Sequence, residues 1–420
     1  MQNRLTKLDK MYIWICMIIA SNFFGLYQKI ASLTQVYFTD MIAITLLVIS
    51  IGYLIIRPFN RKLILYKKLN TNVLAQSWIL IIIIEIILSS FYYGNKQSII
   101  MTLKEAFVPL AMVTAFYAWK NVSRREGIEY IIDTLIKVSM VCSIMAIIAY
   151  ILLDKTGNNF FNLDVNNYSF YRYNKPHFMI GSMVVIPATI FIWIKILEKN
   201  RDKWNVIMLI LNLIHIIIIG KTRTLISFVV ITLLIIYVYF TKKTKKIKIC
   251  VTILSVFVFA LIEGSTIISS LSTLFNDNSV IFRINAIGFY MQQIKSHPLF
   301  GMGFIGRGNV LLQTLLYGAK MQYYRTDVGL IGFMDEYGII GAIWFLTLIL
   351  YSYKKLKFTI KKNRKDRIVI YASSFLFFIV ISAINLFAID GFRLIYLPLF
   401  MSLLNNIENN TKYSIGVKDN

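Results

Sequence analysis

The chain has 420 residues, of which 57% are hydrophobic and only 15% charged, against about 25% charged in an ordinary soluble domain. That balance excludes a water-soluble enzyme and points to repeated membrane spans. The formal charge of +25 does not mark a nucleic-acid binder, because the lysines and arginines sit in short connections beside apolar runs, where they serve as topology signals and lipid-headgroup contacts.

Runs of about 17–25 apolar residues are long enough to span a bilayer as helices. The chain opens on Arg4, Lys7 and Lys10, then an apolar run with no small-residue cleavage site after it, which reads as a retained first helix. Spans are expected near 11–27, 36–56, 73–92, 99–119, 130–153, 178–197, 205–219, 224–240, 249–267, 327–351, 369–388 and 390–405. The expected fold is a single all-α polytopic membrane domain over residues 1–420, with about 12 transmembrane helices. Counting Lys and Arg in alternate connections gives 30 on the side of the termini and 13 on the other. The positive-inside rule then places both termini in the cytoplasm and turns a long connection, residues 268–326, outward.

Cys16, Cys142 and Cys250 all fall in apolar spans and read as buried thiols. Few charges lie inside spans, and such groups are costly there. Lys104 and Glu105 are expected to pair with each other, as are Asp133 and Lys137 at a spacing of four. His215, in mid-span, reads as a packed histidine. Within the long outer connection Ile284, Ile287, Met291 and Ile294 follow one helical face, predicting an amphipathic helix on the membrane surface. Arg283 opens it, His297 closes it, and Pro298 ends it.

Gly301-Met302-Gly303-Phe304-Ile305-Gly306 matches the dinucleotide fingerprint in letters only, since no βαβ unit surrounds it. Its glycines instead predict a tight turn with close backbone approach. The three histidines form no close-spaced metal set, so neither metal nor other cofactor is expected. Arginine is the natural handle for a phosphorylated ligand, being permanently charged and able to pair two oxygens at once. Arg172, Arg223 and Arg283 all stand in outward connections.

Four local patterns resemble the Wzy/O-antigen-ligase superfamily of saccharide polymerases and ligases. They are Arg172 with Lys175-Pro176-His177; Gly220-Lys221-Thr222-Arg223-Thr224; Arg283 leading to Pro298-Leu-Phe-Gly-Met-Gly-Phe304; and Asp327 leading to Glu336-Tyr-Gly338-Ile-Ile-Gly341. Their order agrees with the family over roughly residues 165–350. Ligase-type members often carry histidine where this chain has Asp327, which favours polymerase over ligase. The resemblance implies a GT-C-like fold in the bacterial plasma membrane and a glycosyltransferase that joins undecaprenyl-diphosphate-linked oligosaccharides. It implies lipid-linked donor and acceptor, surrounding membrane lipid and a chain-length regulator as partners, and no nucleic acid. On this reading Arg223 and Arg283 hold the diphosphate, and Asp327 or His297 orients or deprotonates the acceptor. Arg172, His177, Lys221, Arg325 and Glu336 then bind substrate. The alternatives are a ligase that transfers finished polymer to a surface acceptor, or a flippase for the lipid-linked oligosaccharide.

Overall fold

The computed structural model describes residues 5–22, 25, 27, 37–57, 69–159, 171–172, 175–176, 178, 181–198, 202–220, 222–240, 278–362, 366–383 and 389–416. The chain is helical throughout these residues apart from turns and a two-residue antiparallel ladder, in which Arg172 pairs with Lys175. In chain order the helices are α1 (Lys7–Ala20), α2 (Phe38–Ile56), α3 (Thr71–Tyr93), α4 (Ile99–Val122), α5 (Arg125–Thr156), α6 (Ser182–Leu197) and α7 (Lys203–Ile214). They continue with α8 (Arg223–Phe240), α9 (Asn278–Ser296), α10 (Gln313–Tyr317), α11 (Leu330–Lys362), α12 (Arg367–Ser382) and α13 (Tyr396–Gly416).

Five of these, α2 through α5 and α11, are long and apolar enough to cross a membrane. At about 1.5 Å per residue, the 19 residues of α2 make about 28 Å, close to the hydrocarbon thickness. Their outward faces are as apolar as their inward ones: Val48, Ile51 and Ile55 on α2, Leu80, Ile83 and Ile87 on α3, and Ile343, Leu346 and Leu350 on α11 are all exposed. A helix apolar on every side belongs in a core or in lipid. Four shorter apolar helices, 182–197, 203–219, 224–239 and 367–382, complete the bundle. The span expected near 249–267 and Cys250 lie outside the described residues, whereas Cys16 and Cys142 are buried and unbridged as expected.

Several helices outrun the expected spans. α11 continues to Lys362 and α5 begins at Arg125, so parts of the basic connections expected at 352–368 and 120–129 are helical. The first helix, by contrast, stops at Ala20. Polar contacts gather at the two ends of the bundle. At one end Tyr53 and Arg57 hold Asp9, Asn405 donates to Ser123 at 2.7 Å, and Glu408 accepts from the Thr71 amide at 3.1 Å. The start of α1 and the body of α13 therefore share one end. At the other end lie the start of α2, the α3–α4 turn and the segment 297–328, joined by the contacts described below.

The charges on these helices pair differently from the sequence expectation. Glu105 binds Arg307, and Asp133 binds Lys195, because both acids reach a cation on a neighbouring element rather than on their own helix. His215 is a packed residue, as expected. Its Nδ1 lies 3.2 Å from Ser143 Oγ, which donates to Asn212 at 2.8 Å. It opens a five-residue π-helix, His215–Ile219, a rare geometry that often marks functional sites, immediately before Gly220.

Candidate functional site

The decisive local feature is a break in α11. Gly338 sits at φ 61°, ψ −162°, a region essentially reserved for glycine. A break in a helix frees backbone groups that must find partners where water is scarce. Here the Pro298–Gly303 segment supplies them. The amides of Met302 and Gly303 donate to the carbonyls of Asp335 and Glu336 at 2.6 and 3.0 Å, and the amides of Ile339 and Ile340 donate to the carbonyls of Pro298 and Leu299 at 2.9 and 3.2 Å. The two motifs read separately in the sequence are thus stitched together by four hydrogen bonds.

Close approach is why glycine stands at 301 and 303. A Cβ on Gly301 would lie 2.5 Å from the Asp335 carbonyl oxygen, and one on Gly303 would lie 2.3 Å from Ser89 Oγ. The expected tight turn is present, and it approaches α11 and α3. Ser89 Oγ accepts from the Phe304 amide at 2.8 Å, and Gln97 accepts from the Gly306 amide at 2.8 Å while donating to the Phe304 carbonyl at 2.9 Å. Phe304 meets Tyr337 edge-on at 5.7 Å, and Tyr337 packs on Trp78 at 4.9 Å, which ties the turn to the aromatic core.

Two arginines serve this end of the bundle. Arg325, on the 3-10 turn Arg325–Asp327, donates from Nε to Asp335 at 2.7 Å and from Nη1 to the Gly303 carbonyl at 3.3 Å, with Nη1 4.0 Å from Glu336. Arg307 spans Asp40 of α2 at 2.5 Å and Glu105 of α4 at 3.0 Å, and its guanidinium stacks over Tyr37 at 4.9 Å. Burial works against the charge of each, but Asp335 and Glu336 around Arg325, and Glu105 and Asp40 around Arg307, outweigh it and raise both above the ordinary arginine value. Both therefore stay charged. Sequence reading had assigned no role to Arg307 or Asp335, although the costly carboxylates Asp40, Glu85 and Glu105 inside spans already required cations from elsewhere.

Helix α9 is the expected amphipathic helix, but its apolar face divides in two. Ala286, Tyr290 and Ile294 are buried, whereas Ile284, Ile287 and Met291 are exposed. The buried row packs against Val328, and Tyr290 OH and Gln293 Nε2 hold the Leu316 and Leu315 carbonyls at 2.7 and 2.8 Å. Arg283 is half-buried near the start of this helix and makes no hydrogen bond or ion pair with a described residue. His297 follows its end, with its ring edge-on to Tyr92 at 6.0 Å and within electrostatic reach of Asp335. The fourteen positions between Arg283 and His297 correspond to about 21 Å of helix. The structure therefore brings His297, Arg325 and Glu336 to the break in α11, and Arg283 lies about four helical turns from His297. Asp327 is exposed, within electrostatic reach of Tyr290.

Arg172 lies on the short ladder and Arg223 opens α8, but the description of these two residues stops at the backbone. His177 and Lys221 lie outside the described residues. No protein-family model matches the chain, and no curated protein matches it.

Proposed function

We propose that this is a polytopic enzyme of the bacterial plasma membrane, with about 12 spans, a GT-C-like fold and cytoplasmic termini, that polymerises undecaprenyl-diphosphate-linked saccharides at the outer face. The observation carrying the proposal is the stitched break in α11. It joins the Pro298–Phe304 turn to the Glu336–Gly341 motif in one rigid platform, and α9, bearing Arg283, packs on that platform. Preorganised charge of this kind suits a reaction whose barrier lies in charge development.

In the reaction an acceptor hydroxyl attacks C1 of the donor sugar, and the bond from C1 to the diphosphate oxygen breaks. The lipid diphosphate leaves with the electron pair and the hydroxyl proton passes to a base. Arg283 makes no ion pair with a described residue and is assigned to the leaving diphosphate, with Arg223, Arg172 and Lys221 as its companions. Asp327 or His297 is the base. Arg325 is already engaged by two carboxylates, so it orders the platform and the saccharide beside it and leaves the phosphates to Arg283.

The test is to express Arg283→Ala and Arg223→Ala in a strain making the polymer and to resolve its lipid-linked glycans by gel. Single repeat units should accumulate. Normal chain lengths at normal membrane levels of both variants would refute the assignment. A flippase is the second reading, favoured by the broken helix itself, a device of transporters. For a flippase, undelivered units would accumulate at the inner leaflet, protected from periplasmic-side glycosidases.

A further inference from the structure

We propose that the acid-rich niche at the break in α11, formed by Glu85, Asp335, Glu336 and Arg325, seats an uncharged or amino sugar of the saccharide and rejects sugars that carry a carboxylate. The inference takes its substrate class from the polymerase reading, and its charge selectivity comes from the niche alone.

Three carboxyl groups surround one guanidinium there. Arg307, at the same end, is likewise spanned by Asp40 and Glu105. An anionic sugar entering beside Arg325 would meet a guanidinium already engaged by acids, with the Glu336 carboxyl next to it. The unfilled valences are equally specific. Asp335 and Glu85 are almost fully buried, at 0% and 1% exposure, yet Asp335 Oδ1, Glu85 Oε1 and Arg325 Nη2 have no hydrogen-bond partner among the described residues. Native interiors rarely leave such atoms unmatched. One donor beside two acceptors fits hydroxyl groups, each of which donates once and accepts. A phosphate or carboxylate would serve only the donor.

Access is through Glu336, whose side chain is 28% exposed beside the 13% exposed Arg325. His297 and the exposed Tyr92 stand beside the same turn, offering a ring against which the apolar face of a pyranose can lie. Arg325 is committed to Asp335 at 2.7 Å and stands 4.0 Å from Glu336, so Glu336 keeps acceptor capacity for a ligand.

The experiment is saturation-transfer NMR on the full-length protein in nanodiscs, with methyl glycosides as probes: a glucoside, a galactoside, a glucosaminide and a glucuronide. The first three should receive saturation, and the glucuronide about tenfold less. Glu336→Gln and Glu85→Gln, which preserve shape, should each weaken the neutral-sugar signal by about three- to tenfold, the factor that one net hydrogen bond is worth. Lys361→Ala, at the opposite end of the bundle, should leave the signal as in wild type. Equal transfer to the glucuronide, no transfer to any glycoside, or neutral-sugar signals unchanged in both folded Gln variants would overturn the proposal. Selective sugar binding with normal glycans in Arg283→Ala and Arg223→Ala cells would keep the niche and remove the polymerase reading, and the converse pair of results would do the reverse.

Discussion

Gly338→Ala should destabilise this protein severely, and the size of the effect follows from the geometry of the break. An added Cβ would lie 2.2 Å from the Leu299 carbonyl oxygen and 2.6 Å from the Gly301 amide nitrogen. Both neighbours are backbone atoms and cannot rotate away. The φ of 61° and ψ of −162° cost a non-glycine residue about 1–3 kcal/mol. Relieving the clash separates α11 from the 298–303 segment and puts at risk four hydrogen bonds of 2.6–3.2 Å, each worth about 0.5–1.5 kcal/mol net. The expected loss is about 3–9 kcal/mol. Thermal unfolding in detergent gives the comparison, with hydrogen exchange at Met302, Gly303, Ile339 and Ile340 locating the damage. Gly288→Ala is the matched control, because a Cβ there meets nothing within 4 Å and the change should be neutral or stabilising by up to about 1 kcal/mol. Equal melting temperatures for Gly338→Ala and wild type, with those four amides still protected, would refute the stitched-break account.

Arg307→Ala strands Asp40 and Glu105 and should cost about 3–5 kcal/mol by thermal unfolding. Arg307→Lys should restore only part of that, since one ammonium cannot span both carboxylates as the guanidinium does; wild-type stability in the lysine variant would contradict the bridge. Arg325→Ala and Asp335→Asn should each destabilise, and the double variant should lose less than the sum because neither partner is then left stranded; strict additivity would show that the 2.7 Å contact contributes nothing. Asp9 gives a pH test. Burial pushes its carboxyl up, but the Thr6 amide, the Tyr53 hydroxyl, and the Arg57 and Thr6 side chains outweigh that and hold it below the ordinary 3.8. Since the unfolded chain then binds its proton more readily, the stability Asp9 contributes is complete above the unfolded value and is lost as pH falls through the folded one. The melting-temperature gap between wild type and Asp9→Asn should therefore be constant near neutrality and begin to narrow as pH falls below about 4; a gap that widens as pH falls below 4 would refute it.

The apolar run lengths by themselves announced a helical membrane chain, because a backbone that cannot bond to water in lipid must bond to itself and helices do so locally. Pro298 and the alternating apolar positions placed the end and the character of the 278–296 helix for the same reason: φ restriction and a 3.6-residue period act over a few neighbours. Glycines at 301 and 303 were legible as points of special backbone geometry, whereas Gly338 stood only as one letter of a motif. What they approach was not, since Leu299 and Gly338 meet across 39 positions of sequence. The partner of Glu105 was equally hidden. A carboxylate inside a span demands a cation but does not say which one, and Arg307 reaches it only because the turn at 304–306 is pinned to Gln97 and Ser89. Local sequence determined that helices form and that the one before Pro298 must stop there. Only the tertiary structure decided that the bend in α11 is filled by the glycine turn and that Arg307 and Arg325 are engaged by carboxylates. Those outcomes depend on distances between segments, which covalent neighbours do not set.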